Sequence, residues 1–263
     1  MINGQEKICN KIDTLTLDDF PRSLMLVGEF GSGKHMIVDY VSNKFNLQVI
    51  DITTSLDHES IEELYNRVEP YIYIIRANEL SVKEENVILK FLEEPLKNSY
   101  IIMLAETDIG LLQTILNRCQ IWYLQNYTKS FLKQFVTDNE FVLEIANTPG
   151  QVIQLNNSPI TDMIELADRM LDKIHVASVS NTLSISDKVS FKDDNKKFNV
   201  LMFSKLLLNR IVNRSKSSSD KKYYNSYYLT SELVKKLQVK NLDQKSLFEK
   251  YLIELRTIMK GES

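Results

Sequence analysis

Cysteine is nearly missing from this chain. Its two cysteines, Cys9 and Cys119, have no metal-ligand spacing, and two residues cannot make a disulfide scaffold. Long apolar runs are missing as well. No stretch approaches the length of a membrane span, and the N-terminus lacks the basic-then-apolar order of a signal peptide. No membrane contact is expected, and the cytoplasm is the expected compartment. Glycine is scarce too, with seven in 263 residues, yet Gly28, Gly31 and Gly33 crowd into one short stretch.

What is present reads as a globular protein, 43% hydrophobic and 25% charged. The length fits two or three small domains better than one. A net charge of −3 hides an uneven distribution. Residues 1–125 carry 11 basic and 19 acidic side chains, residues 126–172 carry 3 and 7, and residues 173–263 carry 18 and 9. A basic rear segment suits nucleic acid or an acidic partner. Taken alone, the charge fits a solvated lysine-rich surface better.

The glycine-rich stretch is Gly28-Glu29-Phe30-Gly31-Ser32-Gly33-Lys34-His35. An apolar run, Leu24 to Val27, precedes it, and residues from Met36 to Val41 follow at helical spacing. Strand, glycine-rich turn and helix form the setting of a phosphate-binding loop. Backbone N–H groups would ring a phosphate at the helix N-terminus, and Lys34 would reach the outer phosphates. Gly28, Gly31, Ser32, Gly33, Lys34 and His35 are the candidate nucleotide-binding residues. The last departs from the pattern, because a Ser or Thr hydroxyl normally holds Mg²⁺ there.

Further strands are predicted at 47–52, 71–75, 100–104 and 121–124. Helices are predicted at 60–68, 83–92 and 111–116, and a short one within 2–20. Strands alternating with helices predict an α/β fold with a parallel sheet covered on both faces. Hydrolysis in such a fold needs a carboxylate at the end of the strand following the loop. The third predicted strand ends Ile74-Ile75-Arg76-Ala77-Asn78, and the first acid is Glu79. Two losses therefore fall on the same Mg²⁺, and the chain is expected to be a poor ATPase or none.

The most specific stretch runs from Ser81 to Pro95, through Leu89-Lys90-Phe91-Leu92-Glu93-Glu94-Pro95, and is followed by Leu112 to Gln120 with Asn117-Arg118-Cys119-Gln120. Together with Asn3-Gly4-Gln5, these segments resemble the clamp-loader branch of the AAA+ ATPases. Within it they are similar to the delta-prime subunits of bacterial DNA polymerase III, whose helices end in LLKxLEEP before LLxTIxSRCQ. The resemblance implies an AAA+ P-loop domain at 1–125, a helical lid at 126–172 and a helical collar, for oligomerisation, at 173–263. It assigns Arg118 as a finger directed at ATP on a neighbouring subunit, a role suited to an always-charged fork. Asn117 replaces the family's Ser and leaves the arginine in place. Pairing of Arg118 with a nearby carboxylate is the plain alternative. Thr107 stands at a sensor position, where an ordinary turn fits equally, and Gln151 stands near an arginine sensor position of the lid.

The implied function is a clamp-loader subunit of the replication machinery, one that does not itself hydrolyse ATP. Its implied partners are gamma/tau-type ATPase subunits, a delta-type subunit, a sliding clamp and primed DNA. ATP or ADP would be held weakly, if held, and zinc is not expected. An active motor subunit of the same assembly is the second reading. A nucleotide-independent adaptor, such as one carried by a phage or mobile element, is the third.

Beyond residue 126 the pattern turns helical, with helices predicted at 130–136, 140–146, from Gln151, 200–212 and 243–259. Residues 215–222 are predicted to be a flexible polar loop. Tyr223, Tyr224, Tyr227 and Tyr228 follow it. Aromatics among lysines can stack bases, but this helical spacing more often serves a core or interface.

Overall fold

The computed structural model describes residues 2–56, 58–65, 67, 69–94, 99–191, 198–218, 220–239 and 242–261. The chain divides into two compact units, Met1–Phe131 with Thr148–Gly150, and Leu132–Asn147 with Gln151–Ser263.

The first unit alternates helix and strand. Its elements are α1 (Glu6–Thr14), β1 (Ser23–Val27), α2 (Lys34–Phe45), β2 (Gln48–Asp51), α3 (His58–Tyr65) and β3 (Tyr71–Arg76), then α4 (Val82–Glu93), β4 (Tyr100–Ala105), α5 (Gln113–Leu116) and β5 (Gln120–Tyr123). The strands form one five-stranded parallel sheet in the order β2-β3-β4-β1-β5. Both faces are covered, which is why β1 and β4 are buried along their whole length and, Ser23 apart, built of apolar residues. Leu24 and Leu26 of β1 face one layer with Ile12 of α1 and Ile37 and Val41 of α2. Met25 and Val27 face the other with Ile88, Phe91 and Leu92 of α4 and Ile115 of α5. Alternation along a single strand thus supplies both halves of the core.

The predicted strands all form, with ends shifted by a residue or so. Helix α4 is defined at its start by a capping box, in which Ser81 Oγ accepts from Glu84 N and the Glu84 carboxylate accepts from Ser81 N. Its last helical residue is Glu93, while Pro95, expected as the stop, lies outside the described residues, as does Val68 at the predicted end of α3. From the end of β1 the chain crosses to the far edge of the sheet, so β1 lies beside β4 rather than β2. A crevice outside the carboxyl ends of β1 and β4 is where open parallel sheets bind ligands.

The rest of the chain is helical. It runs through α6 (Lys129–Leu132), α7 (Val142–Ile145), α8 (Pro149–Asn156), α9 (Ile160–Lys173) and α10 (Val179–Leu183). After a minimal parallel pair, β6 (Val189–Ser190) and β7 (Phe198–Asn199), come α11 (Val200–Ser217), α12 (Lys221–Lys236) and α13 (Gln244–Lys260). Phe203, Leu206, Leu207 and Ile211 of α11 and Phe248, Leu252 and Leu255 of α13 are buried in the second unit. No helix among the described residues is long and apolar enough to cross a membrane.

Four differences from the sequence reading have physical causes. The segment 215–222, expected as a loop, is largely helix, since α11 continues to Ser217 and α12 opens at Lys221; Ser219 lies outside the described residues. Ser215 Oγ and Ser217 Oγ bond back to the carbonyls of Val212 and Arg214, which satisfies the hydroxyls inside the helix. Helix α8 begins at Pro149 rather than Gln151, as proline's fixed φ permits at a first helical position. The helix predicted at 130–136 is one α-turn followed by a 3₁₀ turn over Lys133–Phe135. The helix α9 went unpredicted, although Met163, Leu166, Ala167 and Met170 give it a clear buried stripe.

Candidate functional site

The candidate site begins where β1 ends. Gly28 N donates to Ala105 O at 3.0 Å, which extends the β1–β4 pairing into the loop. A side chain at Gly28 would collide with Ser32 Oγ and with Leu124. Gly31 and Gly33 have φ of +70° and +96°, a region that suits glycine, and Gly33 caps α2. The predicted loop-then-helix geometry is therefore present, with Lys34 as the first helical residue.

Two of the loop's side chains, those of Lys34 and Ser32, are turned toward the protein. Lys34 Nζ donates to Gly28 O, and to Glu29 O at 3.2 Å. Burial pulls its pKa down, and the carboxylates of Glu106 and Glu29 oppose that pull. Ser32 Oγ is buried without a hydrogen-bond partner. His35 is exposed and brings no hydroxyl to the metal position.

Three segments distant in sequence brace the loop. Gln5, fully buried, donates from Nε2 to Gln125 O at 2.8 Å and accepts from Gln125 N at 3.0 Å. Tyr127 Oη donates to Ser32 O at 3.0 Å, and its ring fills the space beside Gly4, whose φ is +84°. Thr148 Oγ1 donates to Phe30 O at 2.6 Å, and Gly150 N to Gly31 O at 3.4 Å. The last contact is close enough that a Cβ on Gly31 would lie 2.3 Å from Gly150 Cα. The Asn3-Gly4-Gln5 motif thus has a structural task, and Tyr127, Thr148 and Gly150 are site residues that sequence reading missed.

Beside the loop, at the end of β3, the expected carboxylate is replaced by a cation. Arg76 Nη2 lies 2.6 Å from Asp51 Oδ2, and Nη1 lies 3.1 Å from Glu79 Oε1. Arg76 N donates to Thr53 Oγ1 at 2.9 Å, and Thr53 Oγ1 donates to Asp51 Oδ1 at 2.7 Å. Partial burial works to raise the Asp51 pKa, but hydrogen bonds from Thr53 and the Arg76 charge together hold it below the ordinary value. Asn78 Oδ1 accepts from Glu106 N at 2.6 Å and ties this corner to the end of β4. These residues do not fit a Mg²⁺–nucleotide. The end of β3 presents a guanidinium and the start of α2 an imidazole, whereas Mg²⁺ takes oxygen ligands.

Thr107 is half-buried and accepts from Ile109 N at 3.1 Å, a local turn bond. Gln151, within the second unit, is buried with Oε1 accepting from Asn147 N at 2.8 Å. Among the described residues no three His, Cys, Asp or Glu side chains gather as a metal site. Burial pushes the Cys119 thiol up to about 12, which leaves it protonated and inert at neutral pH.

Arg118 follows α5. Its Nη1 donates to Thr114 O at 2.8 Å, and its Nη2 pairs with Glu93 Oε1 at the end of α4. The two most specific stretches of the sequence therefore meet in one ion pair. About a third of the Arg118 side chain and half of the Glu93 side chain are exposed.

Comparison with known proteins gives three likenesses. The chain is similar to the crystal structure of a DNA polymerase III gamma subunit-related protein from Thermotoga maritima at a TM-score of 0.44 and 14% identity, covering 98% of this chain and 100% of that one. The DNA polymerase III subunit delta' of Haemophilus influenzae is 42% identical over 53 residues, which span 20% of this chain and 16% of that relative's length. The family model described as DNA polymerase III, delta subunit, matches residues 9–128, the stretch that holds the sheet, the loop and Arg118. Over that stretch, somewhat under half of its length, the chain is similar to the DNA polymerase III delta/delta-prime subunits.

Proposed function

We propose that this chain works as a delta-prime-type subunit that hydrolyses no ATP of its own and completes the ATP site of a neighbouring subunit with Arg118. In this reading residues 1–125 form an AAA+ domain, 126–172 a lid and 173–263 a collar that joins the subunits. The partners are gamma/tau-type ATPases, a delta-type subunit, a sliding clamp and primed DNA. Its own loop holds ATP or ADP weakly, and zinc has no role.

The observation that carries the reading is Arg76. Its guanidinium is held between Asp51 and Glu79 at the strand end, where a hydrolase needs a metal-binding carboxylate. Arg118 supports the second half of the proposal, because its exposed pair with Glu93 is of a kind worth little in solution. The guanidinium can leave Glu93 for a phosphate at small cost. Thr107 is assigned a turn-forming role rather than a sensor role, from its bond to Ile109 N.

The test is assembly followed by turnover. The full chain is mixed with gamma/tau-type and delta-type subunits, clamp and primed DNA, and the chain alone is assayed in parallel. Silence of the isolated chain, with stimulated hydrolysis in the assembly, is the expected result. Hydrolysis by the isolated chain would show that Arg76 and His35 do not block chemistry. The Arg118–Glu93 pair favours one rival, the nucleotide-independent adaptor, in which Arg118 stays on Glu93 throughout. That rival predicts assembly without stimulation.

A further inference from the structure

Helix α12 presents its residues in an unusual order. Its inward side is made of small or short residues, Ser226, Thr230 and Leu233, and Thr230 Oγ1 shares a hydrogen bond of 2.9 Å with Tyr251 Oη of α13. Its largest side chains point outward. Tyr224 is 61% exposed and Tyr228 52%, and the exposed Tyr227 adjoins them. The rings touch one another, with centroids 4.7 Å apart for Tyr224–Tyr228 and 5.5 Å for Tyr227–Tyr228. The Tyr224 and Tyr228 hydroxyls are joined at 2.7 Å. Helical spacing favoured a core or interface role, and of these two core packing is not what the rings of Tyr224, Tyr227 and Tyr228 do.

Lysines bracket the cluster. Lys221 lies one turn before Tyr224, and Lys235 and Lys236 lie two turns beyond Tyr228. All three are exposed, and Glu232, on the same side, is paired with Lys235 at 2.9 Å. Protein–protein interface cores take tyrosine but are depleted in lysine. A surface that tracks a nucleic-acid strand takes both, the rings for bases and the ammonium groups for phosphates. From Lys221 to Lys235 the helix spans about 21 Å, enough for a single-stranded site of about four nucleotides.

We propose that the exposed Tyr224–Tyr227–Tyr228 face of α12, with Lys221, Lys235 and Lys236, is a binding site for single-stranded nucleic acid. The bases stack on the rings, and the lysines neutralise the phosphates. Nothing in this site depends on Arg118 or on the nucleotide loop.

The test uses the full chain alone, so that it stands apart from clamp-loader assembly. Fluorescence anisotropy follows its binding to a fluorescein-labelled oligothymidylate and to a duplex of equal length. The single strand is expected to bind more tightly. Replacing both tyrosines, Tyr224→Ala with Tyr228→Ala, is expected to weaken it by about tenfold or more, whereas Tyr224→Phe with Tyr228→Phe keeps the rings and keeps binding within about threefold. Lys221→Gln with Lys235→Gln is expected to reduce the magnitude of the slope of log K against log salt by about 1.4. The tyrosines are exposed, so far-ultraviolet circular dichroism should match wild type in every variant. A wild-type chain that ignores the oligonucleotide, or an alanine pair that binds as wild type, would overturn the site. So would an alanine pair that keeps the strand but loses a protein partner, which would make the face a protein interface.

Discussion

Arg76 and Asp51 make the sharpest statement at the scale of single residues. The Asp51 carboxyl is held below its ordinary pKa in the folded chain, so its contribution to stability is complete above the unfolded value of about 3.9 and fades as pH falls through the folded value. Asp51→Asn should therefore be less stable than wild type at neutral pH, and the gap between them should close below about pH 4. Denaturant titrations at several pH values measure this, and a gap that widens in acid would contradict the assignment. Arg118 has the opposite character. Its pair with Glu93 is exposed, so Arg118→Ala should change stability by no more than about 0.5 kcal/mol. Thermal unfolding of the variant checks that it is a clean probe of function. Arg118 was legible in the sequence because its motif is local. The Arg76 network was not, because Asp51 reaches it from the end of the neighbouring strand β2 and Thr53 from the turn after it, 25 and 23 positions earlier.

The nucleotide loop and α4 carry the argument at the scale of elements. Gly31 combines a left-handed φ with backbone contact to Gly150. Gly31→Ala should cost at least about 1–2 kcal/mol from the dihedral alone, and more if the Thr148–Gly150 segment is forced away. Hydrogen exchange at Gly150 should then rise, and an unaltered unfolding midpoint would argue against the contact. The capping box of α4 gives a milder effect, with Ser81→Ala expected to cost about 1 kcal/mol by denaturant unfolding. Strands were legible because a parallel sheet buried on both faces demands unbroken apolar runs, as in Tyr71 to Ile75 and Tyr100 to Leu104. The serine-rich junction of α11 and α12 misled, because composition says nothing of hydroxyls that bond back to their own helix. The core half of the reading of the α12 tyrosines failed for a related reason. Helical spacing reports a face but not which face is turned inward, and there the small residues took the core.

At the scale of the whole chain, likeness to the delta/delta-prime subunits is confined to residues 9–128, and the helical remainder is where the sequence says least. The chemistry is divided in the same way. In the proposed reading its own site lacks both metal-directed groups, while the part-exposed Arg118 just after α5 is the group offered to another subunit. The proposal places the chain in an assembly, and the assembly is where the central claim is tested. The direct measurement is single-turnover ATP hydrolysis by a complex reconstituted with gamma/tau-type and delta-type subunits, clamp and primed DNA, comparing wild-type chain with Arg118→Ala. Trans-acting arginines elsewhere are worth about 10³–10⁵ in rate, so the account predicts a large loss at the one ATP site this chain completes, with assembly intact. Equal rates for the two complexes would contradict it.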